Sequence, residues 1–245
     1  MHWSWMRRCE MQTMWMELLS SSSVWGVLLT LSAFGIGVLI NRATGKTIFN
    51  PLLLGSIFVI VFLSLLQIPY ADYKASAAPI NYLLLPATIS LAIPLYEKWE
   101  LLKKNMLAIL AGIVAGTLTS LCCIWVMSVA LKLTHEQYVT ILPKSVTTAI
   151  SMDVSKELGG ITALTGAIVI LTGIAGNLMA ETVCRIFRIT DPIAAGVGIG
   201  TASHAVGTSR ALTMGETQGA MSSLSIAVAG ILTAVLCPLF AQLIP

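Results

Sequence analysis

Residues 198–219 read GIGTASHAVGTSRALTMGETQG, and the fold turns on how that stretch is read. It concentrates glycines, hydroxyls, His204 and Arg210 in a chain that is otherwise uncharged over long runs. Flanked by apolar segments, it reads as a broken polar segment inside a membrane protein, the place where such proteins keep their working site. On an unbroken helix His204 and Arg210 stand about 120° apart and do not point into one cavity. Gly207 lies between them, and glycine accepts backbone conformations closed to other residues, so the break is expected there. A break also exposes amide groups at a half-helix N-terminus, which attract anions. Arg210 at membrane depth costs about 2.5–3.5 kcal/mol on insertion scales, so it needs a watery cavity or a counter-charge. In the competing reading it is an interfacial anchor near Glu216.

A second stretch of the same character, LPKSVTTAIS at 142–151, lies upstream. On a helix starting at Lys144, the residues Lys144, Thr147, Thr148, Ser151 and Ser155 fall in one stripe, with Val146, Ile150 and Val154 opposite. A lysine and four hydroxyls facing one way suit a buried polar site. The alternative is a surface helix with Lys144 snorkelling to headgroups, although interfacial helices carry a more strongly charged face. The stripe predicts that Thr148 and Ser151 are wetted while Val146 and Ile150 are not.

Composition sets the class. Of 245 residues, 56% are hydrophobic and 10% charged, against about 25% charged in soluble domains, and the mean hydropathy is +0.87. The net charge of +3 is small and its Lys and Arg sit in clusters between apolar runs, which orients a membrane protein and does not suggest nucleic acid. The five cysteines, Cys9, Cys122, Cys123, Cys184 and Cys237, have neither disulfide nor metal-ligand spacing. No cofactor or metal is expected.

Apolar runs occupy 18–40, 47–71, 77–96, 105–131, 158–180 and 217–245. Residues 1–17, rich in Met and Trp, form an N-terminal tail whose tryptophans suit the headgroup level; no small-x-small cleavage site follows, so the first span is expected to be retained. Asn50 before Pro51 reads as a helix start. Pro79, Pro86 and Pro94 break or kink the third run. Lys/Arg-rich loops at 42–46, 98–104 and 185–188 are expected in the cytoplasm. Three full crossings between 104 and 185 would put Arg185 outside, so 139–157 is read as re-entrant and 192–213 as its counterpart. The fold class that results is an all-α polytopic membrane protein with about six full transmembrane helices plus two broken or re-entrant polar segments. Gly112 and Gly116 form a GxxxG spacing, a weak packing signal in so apolar a chain.

Catalytic motifs are missing. Gly196, Gly198 and Gly200 do not complete a dinucleotide loop, because Ser203 stands at the third glycine. No P-loop, H-E-x-x-H or G-x-S-x-G occurs, and residues 207–211 miss the last by one position. The chain is not expected to be an enzyme. The candidate substrate-binding residues are Lys144, Ser145, Thr147, Thr148, Ser151, His204, Gly207, Thr208 and Arg210. The candidate helix-break positions are Asn50, Pro51, Pro86, Pro94, Pro143 and Gly207.

These pieces, with NPLLLGSI at 50–57, YADY at 70–73, LLPATISLAIPLY at 84–96, LGGITALTGAIVILTGIAGN at 158–177 and GTASHAVGTSRA at 200–211, resemble the LrgB/CidB family of antiholin-like bacterial membrane proteins. The resemblance runs from about residue 20 to the C-terminus, which implies a single LrgB-like transmembrane domain over 18–245. Ala149 stands where the family pattern has proline. The resemblance implies two functions: transport of small organic acid anions of the glycolate, glycerate or pyruvate class, with proton coupling an option, or holin/antiholin-like regulation of murein hydrolase activity and lysis. It further implies residence in the bacterial inner membrane and a small LrgA/CidA-type partner, and leaves room for a homo-oligomer. The residues favour the small-carboxylate carrier, because Lys144, His204, Arg210 and the hydroxyls suit a small-anion site better than a wide pore.

Overall fold

The computed structural model describes residues 24–45 and 49–244. The N-terminal tail at 1–17, with its tryptophans, and the loop residue Lys46 lie outside the described residues. The described chain is all helical and forms two compact units, Met1–Ile89 and Ser90–Pro245. Four of its helices are long and apolar enough to cross a bilayer: α1 (Trp25–Thr44), α6 (Trp99–Ala130), α9 (Thr162–Ile186) and α11 (Glu216–Ala241). The apolar α2 (Pro51–Leu66) is shorter, at 16 residues, or about 24 Å.

The first unit shows why the sequence folds as it does. Asn50 caps α2, accepting from Leu52 N at 2.8 Å, and Pro51 takes the first helical position, where a missing N–H costs nothing. Glycine permits close packing of α1: a Cβ on Gly37 would lie 2.7 Å from Pro51 O, and one on Gly26 would strike Ser76 of α3 (Tyr70–Ala77). Thr30 and Tyr73 pair hydroxyl to hydroxyl at 2.8 Å across the same seam. Beyond it, the proline-rich run 77–96 is not one helix. It is divided into a 3₁₀ turn (Ala78–Leu83), α4 (Leu84–Ser90) and α5 (Ala92–Glu97). Pro86 lies within α4, and Pro94 sits in the first turn of α5, where proline is tolerated.

The second unit is inside-out by soluble standards. Its outer surface carries Leu107, Leu171, Ile231 and Leu239, while Thr165, Thr208, Ser222 and Ser225 are fully buried. A chain that exposes its leucines and buries its hydroxyls is arranged for lipid, where exposed apolar area costs nothing and polar groups must pair internally. This is the architecture of a polytopic membrane protein. At one end, Lys98 donates to Glu216 at 2.9 Å and so ties the start of α6 to the start of α11; the Glu216 carboxylate holds the Lys98 ammonium above its ordinary pKa.

Between these long helices lie two helical hairpins. The first comprises α7 (His135–Ile141) and α8 (Thr148–Glu157). It starts beside the far end of α11, where Tyr138 Oη donates to Phe240 O at 2.9 Å and His135 Nδ1 contacts Ile244 O at 2.6 Å. It also ends there, because Ile161 N donates to Thr140 Oγ1 at 2.8 Å and Thr165 Oγ1 donates to Thr140 O at 2.9 Å. Residues 135–161 therefore go in and come back on one side. The second hairpin is α10 (Pro192–Met214), whose backbone reverses at His204 (φ 43°, ψ −143°). Its first limb runs along α11, with Gly196 against Gln218 and Gly200 against Ser222 and Ser225. Its second limb returns, with Thr208 on Ser222 at 2.7 Å and Leu212 against Gly219. It enters from the Lys98–Glu216 end, opposite to the first hairpin.

Candidate functional site

The tips of the two opposed hairpins meet in the middle of the second unit. Ser145, on the first tip, hydrogen-bonds Ser120 of α6 at 2.9 Å. Thr201, just before the second turn, is the residue that a Cβ on Gly116 would meet at 2.9 Å, and Val197 stands in the same way 3.2 Å from Gly112. The GxxxG spacing thus faces α10, where it lets α6 approach closely. Thr117, Ser120, Ser145, Thr201 and Thr233 share a small cavity with Leu121 and Leu142. Lys144 Nζ donates to Ser145 Oγ at 3.1 Å. Among the described residues no carboxylate pairs with Lys144.

The stripe expected on residues 144–155 needs correcting. Lys144 is not helical; it lies in the turn between α7 and α8, as does Pro143. Helix α8 begins at Thr148, with Thr147 as its N-cap residue and Ala149 already in the first turn, so the break forms without a proline at 149. Ser151 does not line a wet cavity. It is fully buried, and its hydroxyl donates to Pro143 O at 2.5 Å, closing the turn from inside. Val146 is equally buried, so the two sides of the segment do not divide into wet and dry. Thr147 and Thr148 are half-buried, and Thr148 lies against Gly166 of α9. The physical reason is that a hairpin buries both faces of its inner limb, whereas helical periodicity foresees only one.

The second break also moves. It falls at His204, three residues before Gly207, and Gly207 itself keeps helical geometry. Gly207 is required by the reversal in another way: a Cβ there would collide with Ser203 across the turn and lie 3.2 Å from Ile199 Cγ2. His204 adopts a positive φ that side-chain-bearing residues seldom take. Several bonds hold it. His204 Nε2 lies 3.0 Å from Val169 O, and because a carbonyl only accepts, Nε2 carries the hydrogen. Gly173, one turn on, makes the approach possible, since a Cβ there would lie 2.6 Å from His204 Cε1. Thr208 Oγ1 donates to His204 O at 2.9 Å, and Asn177 Nδ2 donates to Val206 O at 2.8 Å, so side chains satisfy carbonyls freed by the turn.

Arg210 is elsewhere. It sits on the outgoing limb about 9 Å along the helix from the turn, and its Nη2 pairs with Glu181 Oε1 of α9 at 2.7 Å. The counter-charge is therefore Glu181, while Glu216 belongs to Lys98. The structure brings together Lys144 and Ser145 at the first tip, seats His204 against Val169 and Gly173 of α9 at the second, and leaves Arg210 outside both. Thr117, Ser120, Thr201 and Thr233 are site residues that the sequence reading omitted. A usable signal existed for the first two: hydroxyls three apart on a long apolar helix share a face. The tips also carry a shared pattern, Lys144-Ser-Val-Thr-Thr148 and His204-Ala-Val-Gly-Thr208, which places Lys144 and His204 at equivalent positions.

Comparison with known proteins shows the family. The profile of the LrgB-like family matches residues 30–243. The antiholin-like protein LrgB of Bacillus subtilis (strain 168) is 35% identical over 224 residues, covering 91% of this chain and 97% of that protein. Those of Bacillus mycoides (strain KBAB4) and Bacillus cereus (strain B4264) are each 35% identical over 216 residues, 88% of this chain and 94% of theirs. No solved structure gives a significant match.

Proposed function

The chain belongs to the LrgB-like family, and from that premise we propose that it is a carrier of small organic acid anions in the bacterial inner membrane and not an enzyme. The observation that supports this is Lys144, an ammonium beside the meeting point of two hairpins that enter from opposite ends, bonded to the Ser145 hydroxyl of the cavity there and with no carboxylate partner among the described residues. A cation in so apolar a setting is stabilised by an anion that brings its own charge, and a small carboxylate supplies one without demanding a wide pore. Hairpins from opposite ends offer two separable barriers, one toward each side, as a carrier requires. The role given to Arg210 in the sequence reading passes to Lys144.

Purified protein in liposomes should take up one or more two- and three-carbon acids saturably, and Lys144→Met should abolish uptake while leaving the protein folded. Comparing uptake with and without a pH gradient decides whether a proton accompanies the anion. If the parent protein shows no saturable uptake of any acid in the panel, the carrier reading fails.

A second reading rests on the relatives' name, antiholin-like protein LrgB, which speaks for it more directly than for transport; the family resemblance extends it to a regulator of murein hydrolase activity and lysis that acts with a small LrgA/CidA-type partner. On that reading, deletion should change autolysis, and Lys144→Met should leave the autolysis phenotype intact.

A further inference from the structure

Thr117 stands near the middle of α6 with its hydroxyl buried and without a partner. A helical threonine ordinarily turns that hydroxyl back to the carbonyl four residues earlier. Thr119 does so to Ala115 O at 2.7 Å, and Thr201 does so to Val197 O at 2.7 Å. Thr117, 3% exposed, lines the cavity at the hairpin tips instead. A buried hydroxyl left unpaired is disfavoured strongly enough that native structures seldom keep one without a reason.

The cavity is about 10 Å³, room for one atom of the size of water oxygen. An ammonium can only donate, so Ser145 Oγ accepts from Lys144. Ser145 can then pass its own hydrogen to Ser120, 2.9 Å away, which turns the Ser120 hydrogen toward the cavity beside that of Thr117. The hydrogen of Thr201 is already committed to Val197 O. The chain of donors begins at a positive charge and ends in a hole one atom wide.

From this geometry we infer that the cavity seats one carboxylate oxygen of the anion attracted by Lys144, with Thr117 and Ser120 as its hydrogen-bond donors. The inference rests on the carrier reading for its ligand class and adds two specificity-determining residues to it. A planar carboxylate can place one oxygen in the hole, where Ser120 and Ser145 link it to the Lys144 ammonium. A tetrahedral oxyanion has further oxygens that a single-atom hole does not serve.

The test uses the purified full-length protein and its thermal unfolding in sodium acetate, potassium acetate, sodium chloride and sodium phosphate. Acetate should raise the melting temperature of the parent and of Thr117→Ser equally with either cation, and chloride and phosphate should not. Thr117→Val, which keeps shape but loses the hydroxyl, and Ser120→Ala should each weaken acetate binding by roughly tenfold or more, as expected for a lost hydrogen bond to a charged group. Should Thr117→Val fail to fold, Ser120→Ala set against Thr117→Ser carries the comparison. No acetate effect on the parent, an equal effect of chloride, or hydroxyl-free variants that bind like the parent would each overturn the inference. Acetate binding without uptake in liposomes removes the carrier reading alone, and uptake indifferent to Thr117→Val removes this inference alone.

Discussion

At the scale of single residues, the two cations of the polar segments have different neighbours, and the difference sets their roles. Arg210 is 26% exposed and Glu181 43%, and the two pair at 2.7 Å, joining the outgoing limb of the second hairpin to α9. A pair this open contributes about 0.2–1 kcal/mol. Glu181→Gln should therefore lower the melting temperature only slightly, and Arg210→Lys should leave uptake affinity near that of the parent. A loss of tenfold or more in affinity for Arg210→Lys, equivalent to about 1.4 kcal/mol, would return Arg210 to the anion site. Lys144 has Ser145 as its hydrogen-bond partner and a cavity beyond it, so its removal should be felt in uptake first.

Elements depend on where glycine lets them touch. The reversal at His204 exists because α9 presents Gly173 to the imidazole: a methyl there would lie 2.6 Å from Cε1 and 2.8 Å from Val206 Cβ. Gly173→Ala should destabilise the protein by about 1–3 kcal/mol through overpacking, less whatever the better helix former returns. Gly198, on the incoming limb of the same hairpin, has open space where a methyl would go, with nothing within 4 Å, so Gly198→Ala should be neutral or stabilising by up to about 1 kcal/mol. Thermal unfolding of both variants in detergent checks the contrast; equal effects would mean that helix propensity, and not the seat of His204, governs both sites.

For the whole molecule, the consequence is one of sides. Helix α6 leads away from Lys98, the first hairpin goes in and returns beside Thr140, and α9 leads back to Arg185 and Arg188. The first turns of α6, with Lys103 and Lys104, and the turn at 188 therefore belong to one side of the membrane, which the Lys/Arg excess assigns to the cytoplasm, and the turns at 132 and 159 to the other. Single cysteines at Lys104 and Arg188, in a cysteine-free background, should resist an impermeant reagent in intact cells, while Lys132→Cys and Gly159→Cys should react. Reaction at Arg188 but not at Lys104 would mean that the first hairpin crosses.

The amino-acid sequence alone determined the membrane class, the helix start at Asn50-Pro51, the broken run at 77–96 and the two polar segments as places where helices stop. These follow from composition, from proline and capping chemistry, and from charge parity, all of which act locally or by counting. Only the tertiary structure decided that the turn is made by His204, since a non-glycine residue in that conformation is held by Val169 O and by the space Gly173 leaves, both from another helix. It alone paired Arg210 with Glu181 and set Thr117 and Ser120 against Ser145, because hydroxyls on an apolar helix acquire a role only from what packs across from them. Helical periodicity could place Ser151 on the same stripe as Lys144, but it could not tell a wall of a cavity from the inside of a hairpin.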